Sequence, residues 1–126
     1  MNPEELLAGA RDLASAGNRR LGASRSVGAA LLARQALETA IDDVWARTVP
    51  GLAACSARAQ LIALPTYVPP RLAGDVAYCW SRLSRACHHD AYELPPAPAE
   101  LEHLLDIVDE LLSVSNTGFV VGQPSW

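Results

Sequence analysis

The sequence contains no lysine: its ten basic residues are all arginine, set against fourteen acids for a formal net charge of -4 at pH 7. A protein that holds nucleic acid by neutralising phosphates over its whole surface carries a basic excess, so any nucleic-acid role here must come from a local patch. Cysteine is scarce as well. Cys55, Cys79 and Cys87 are an odd number with no Cys-x-x-Cys pair, which argues against a disulfide framework and a zinc knuckle and makes buried thiols the expectation. No apolar run reaches the roughly 18 residues that a membrane span requires, because arginines, glutamates and prolines interrupt every candidate. The stretch Met1-Asn2-Pro3-Glu4-Glu5 begins with acids where a secretory signal has a basic and then a hydrophobic region, so a cytoplasmic location is expected. Strand-like alternation survives for only a few residues at a time, and nothing repeats at a fixed period.

Half of the 126 residues are hydrophobic, enough for one core and one domain. The pattern predicts an all-α, four- to five-helix bundle over residues 1–115, followed by a tail, 116–126, that either frays or docks through Phe119 and Trp126. Asn2-Pro3-Glu4-Glu5 reads as an N-cap, a first-turn proline and two acids at the positive end of a helix dipole, opening a helix to about Ala16. Residues 18–28, NRRLGASRSVG, read as a polar connector with Arg19, Arg20 and Arg25, in which Ser24 or Ser26 caps the next helix. From Val27 to about Thr48, Val27, Ala30, Leu31, Leu37, Ile41, Val44 and Trp45 recur at helical spacing. A shorter helix follows in ACSARAQLIAL, before Pro65, Pro69 and Pro70 force an extended connection. The last helix starts near Pro98, with Leu101, Leu104, Leu105, Val108, Leu111 and Leu112 on one stripe and Glu102, Asp106, Asp109 and Glu110 on the other side.

Between them, Arg71 to about His89 predicts a helix with two distinct sides. One is an apolar stripe of Leu72, Val76, Cys79, Trp80, Leu83, Ala86 and Cys87. The other stacks Arg71, Asp75, Tyr78, Arg82, Arg85 and His89 at alternating spacings of four and three, with His88 and Asp90 flanking the line. Such a line is either an ordinary solvated face or a site. Its residue types suit attack by an RNA 2'-hydroxyl on the adjacent phosphate, because an imidazole moves protons near neutral pH and a guanidinium offers paired donors to a phosphate. No metal or other cofactor is required, and RNA is the expected nucleic acid, not DNA. A metal site of His88, His89 and Asp90 is the competitor; consecutive helical residues diverge by ~100° and face one ion together only if the helix ends there. His103, on the last helix, has no arginine line of its own and reads as a surface residue.

LLARQALETAIDDVW, followed after a connector by YCWSRLSRACHHDAYELPP, resembles the HEPN superfamily of small helical domains over about Val27 to Leu112. The resemblance implies a homodimer and a metal-independent endoribonuclease of defence or toxin-antitoxin type, in which an arginine and a histidine with four to six residues between them act at a cleft between protomers. Arg82 fits that spacing with His88 or His89. Arg82 and Arg85 would then clamp phosphate, His88 or His89 would act as acid or base, and Asp90 and Tyr92 would orient or tune them. In a second frame, that of one toxin branch, Arg85, Asp90 and Tyr92 occupy the motif positions, with aspartate where the histidine should stand. That frame implies either a substitute imidazole from His88 or His89, or a dimerising module that has lost the reaction and binds nucleotide, RNA or a protein. It also makes Tyr92 a candidate site for adenylylation by a partner nucleotidyltransferase antitoxin.

Overall fold

The computed structural model describes residues 2–15, 22–87 and 96–116, and among them the chain is helical, without a strand. Helix α1 spans Pro3–Ser15. Asn2 caps it as the sequence predicts: the Glu5 backbone N–H donates to Asn2 Oδ1 at 2.7 Å while the Asn2 amide reaches the Glu5 carboxylate at 3.3 Å. This is a reciprocal arrangement that satisfies otherwise orphaned groups of the first turn.

Helix α2 covers Gly22–Arg47. It therefore begins before Val27, and Ser24 and Ser26 lie inside it instead of capping it. The sequence signal there is weak because glycine and serine have low helix propensity, and tertiary packing overrides propensity. The two helices approach closely, such that a Cβ added to Gly9 would stand 3.3 Å from Leu32 Cδ1 and one added to Gly28 3.4 Å from Leu13 Cδ1.

After α2 the chain makes a 3₁₀ turn at Pro50–Ala54, then α3, Ala57–Ala63, then a second 3₁₀ turn at Leu64–Thr66. Ser56 caps α3 by accepting from the Ala59 N–H at 3.2 Å. Helix α4 runs from Pro70 to Cys87 and α5 from Pro98 to Asn116. The helix α2 packs on α1, α4 and α5; α5 also touches α1 and α4, whereas α1 and α4 do not meet. The bundle is thus a central pair, α2 and α5, flanked on either side by α1 and α4.

The core follows from this placement. Ala29, Ala30, Ala33, Ala36, Leu37, Ala40, Val44 and Trp45 of α2 are fully buried, and all six leucine and valine positions of the predicted α5 stripe are buried with Ile107. Leu31 departs from the reading and is 46% exposed, because the partners of α2 leave that side of it to solvent. Of the three thiols, only Cys79 is buried; Cys87 is intermediate and Cys55 lies exposed after the 3₁₀ turn. Burial pushes Cys79 up to about 12, and its Sγ sits 3.6 Å from the Leu104 carbonyl as a donor.

Trp45 fixes the irregular stretch that follows it. Its indole N–H donates to Gln60 Oε1 at 3.0 Å, and its ring meets Tyr67 edge-on with centroids 5.5 Å apart. The Gln60 amide then donates to the carbonyls of Cys55 at 2.9 Å and Ala53 at 3.4 Å. One side chain therefore serves a buried donor and two turn carbonyls.

Replacing Gln60 by leucine strands the Trp45 donor. The expected cost is about 1–3 kcal/mol, measured as a lower urea midpoint with an unchanged m-value, and it should shrink in a Trp45→Phe background. For Cys79, an unfolded thiol ionises near ~8.5, so the unfolded state loses this proton first. The contribution of Cys79 to stability is intact below that pH and falls as pH rises toward about 12. In native protein at pH 8, Cys55 should react with a disulfide reagent in the first phase and Cys79 only on unfolding, a phase that Cys79→Ala should remove.

Candidate functional site

The candidate line lies on α4. Leu72, Ala73, Val76, Cys79 and Leu83 turn one side of this helix into the core, which fixes the rotation of the other side. That side does not simply face water. Arg71 donates to Asp75 at 2.8 Å, the i,i+4 pair the sequence predicts, and it also pairs with Glu110 of α5. Arg82 pairs through Nε with Glu100 in the first turn of α5. The two arginines and the two glutamates are separated by similar rises, about 16 Å and 15 Å at 1.5 Å per residue, so the antiparallel helices bring them together as rungs at the two ends of one seam. Tyr78 lies between the rungs along α4, 47% exposed.

The two rungs differ in environment. The Arg71 side chain is 67% exposed, and hydrogen bonding to Glu110 holds its pKa above the usual arginine value. Arg82 and Glu100 are only 25% and 28% exposed. A sheltered guanidinium beside a carboxylate is largely neutralised as a local charge, and freeing it would leave Glu100 without that partner. Arg85, in the last turn of α4, is exposed. Thus the structure separates the two arginines that the sequence treats alike. His88, His89, Asp90 and Tyr92 lie outside the described residues, as do the connector arginines Arg19 and Arg20 and the tail from residue 117 onward.

Helix α5 is laced from its other side by Arg11 of α1, which reaches Glu102 and Asp106 at 3.0 Å each and Asp109 at 3.8 Å. The hydrogen bond to Asp106, with further help from Glu102 and Asp109, holds the Arg11 pKa above its ordinary value. His103 is exposed on α5. Among the described residues no group of three or more histidines, cysteines or acids could hold a metal ion, and no helix is long and apolar enough to cross a membrane.

Sequence reasoning missed Glu100 and Glu110 as partners of the arginine line. The signal was present: two acids ten residues apart on α5 match two arginines eleven apart on α4, once the helices are taken as antiparallel. It also missed Arg34, whose guanidinium lies 5.2 Å from the Trp80 ring centre and bonds Glu38 at 3.1 Å. No family model, no curated protein and no solved structure matches the chain.

The sheltered rung is expected to stabilise the fold. Arg82→Ala and Glu100→Ala should each lower stability by about 1–2 kcal/mol, between the values typical of exposed and buried pairs. The double variant should cost less than the sum of the two, as measured by a urea double-mutant cycle.

Proposed function

We propose that this chain is a HEPN-like helical module that recognises a phosphate-bearing ligand, RNA in the first instance, at the end of α4, and does so without cleaving it. The observation that carries this reading is the sheltered pair of Arg82 with Glu100. A catalytic arginine must offer paired donors to a phosphate in the transition state; a guanidinium held by a carboxylate must first give up that partner. Arg82 is then the tie between α4 and α5, and Arg85, exposed in the last turn of α4, is the cation offered to a ligand. A local cation of this kind is compatible with a net charge of -4, and it makes binding sensitive to salt.

A second reading is favoured by the exposure of Arg85: a metal-independent endoribonuclease in which two protomers face each other across the ends of α4. Arg85 would hold the phosphate and His88 or His89 would move the proton. In that reading the homodimer builds the cleft from two copies of the same residues.

One experiment separates the two. Purified protein is incubated in EDTA with a labelled single-stranded RNA, beside Arg85→Ala and a His88→Ala, His89→Ala variant. The binding reading expects intact RNA, retained by wild type at 50 mM salt and released by Arg85→Ala. RNA cut to 2',3'-cyclic phosphate ends by wild type alone would establish the nuclease and end the binding-only reading. RNA neither bound nor cut would remove both.

A further inference from the structure

A groove of about 180 Å³ opens between α2, α3 and α4, away from the arginine line. Ile41, Ala57 and Leu61 give it an apolar lining, the Trp80 indole forms one wall, and Glu38 and Asp42 supply its charge. Gln60 also lines it, but its amide is engaged by Trp45 and by the carbonyls of Ala53 and Cys55. No basic residue lines the groove. Glu38 is already held by Arg34 at 3.1 Å, so an anion entering the groove would meet the carboxylate of Asp42 with no basic residue in the lining to receive it, and charge there favours a cation.

The molecule already shows how a cation is received beside this wall. Arg34 lies over Trp80, 5.2 Å from the ring centre, with its Nε on Glu38, combining an aromatic face with a carboxylate. Asp42, one turn further along α2, is exposed and forms no ion pair with any described residue. The groove thus pairs an apolar lining with a carboxylate that the fold does not use. Its volume sets the size of an occupant. A cavity of about 150 Å³ accepts a benzene-sized molecule, so this one suits a molecule of roughly seven to nine heavy atoms and is too small for the common nucleotide or drug-sized ligands, whose pockets exceed about 300 Å³.

We propose that this groove binds a small free alkyl cation, an ammonium or guanidinium on a short aliphatic stem, with the cationic head at Asp42 and the stem against Ile41, Leu61 and Trp80. This site is independent of the ligand assigned to the end of α4.

The probe is agmatine, titrated into full-length protein at 20 mM salt. The readouts are the Trp80 indole N–H resonance, assigned by its loss in Trp80→Phe, and nuclear Overhauser contacts between the agmatine methylenes and the Trp80 ring. The buried Trp45 indole is the internal control. A saturable shift of Trp80 with such contacts is expected, weakened about fivefold in Asp42→Asn, in line with the loss of one exposed charge pair, and weakened again at 500 mM salt. Because no described cation depends on Asp42, this variant should keep the wild-type melting temperature. The neutral analogue N-butylurea should give no saturable shift. Absence of saturation by agmatine, an equal response to N-butylurea, or an undiminished response in Asp42→Asn would each overturn the proposal. Binding of acetyl-Gly-Arg-Gly-amide more than tenfold tighter than agmatine would overturn the free-molecule assignment in favour of an arginine side chain from a protein partner.

Discussion

The constraint from which the rest of the structure follows is that α2 must pack against three other helices at once. A helix with neighbours on several sides cannot carry large side chains in every direction, because the interaxial distance is set by what stands at each contact. In this chain the solution is alanine. Ala29, Ala30, Ala33, Ala36 and Ala40 are fully or almost fully buried, letting α1, α4 and α5 come close while Leu37, Val44 and Trp45 fill the remaining space. The close approach of α1 to α2 at Gly9 and Gly28 belongs to the same packing. With α2 fixed, α5 takes the place opposite it, and α1 and α4 occupy the two flanks.

Electrostatics then organise α5. Arg11 reaches it from one flank and Arg71 and Arg82 from the other, so an acid-rich helix is neutralised by arginines of its neighbours. Arginine suits this role because a planar guanidinium can hold more than one carboxylate oxygen in a fixed geometry, as Arg11 does here. The same arrangement explains how a chain can show a coherent arginine line in sequence and still present few of those charges to a ligand. The line is tied to α5 by carboxylates at Arg71 and Arg82, and Arg85 in the last turn of α4 is exposed.

Much of the fold was legible because it depends on periodicity. The α5 stripe, the α1 cap, and the starts of α4 and α5 come directly from apolar spacing and first-turn chemistry. What was not legible depends on neighbours. The start of α2 at Gly22 is set by packing that no local propensity records, Leu31 is exposed because no helix covers that side, and Cys55 is exposed because the 3₁₀ turn leaves it at the surface. At the candidate site, the sequence could place Arg82 and Arg85 on one line but could not distinguish them. That difference arises from Glu100, which is separated from Arg82 by eighteen positions and belongs to another helix.

The antiparallel order of the helices has a consequence for anything attached to the chain. Ser115 donates to Asp43 near the end of α2, Arg71 near the start of α4 meets Glu110, and Glu4 and Ser113 line one shallow groove. The start of α1 and the end of α5 therefore share one end of the bundle, while the end of α4 lies at the other. The nineteen residues of α5 place these ends about 28 Å apart. A tag, a fluorescent reporter or a second domain joined directly to the start of α1 would leave from the end opposite the last turn of α4. It could be carried, exchanged or anchored to a support while the last turn of α4 faces away from it.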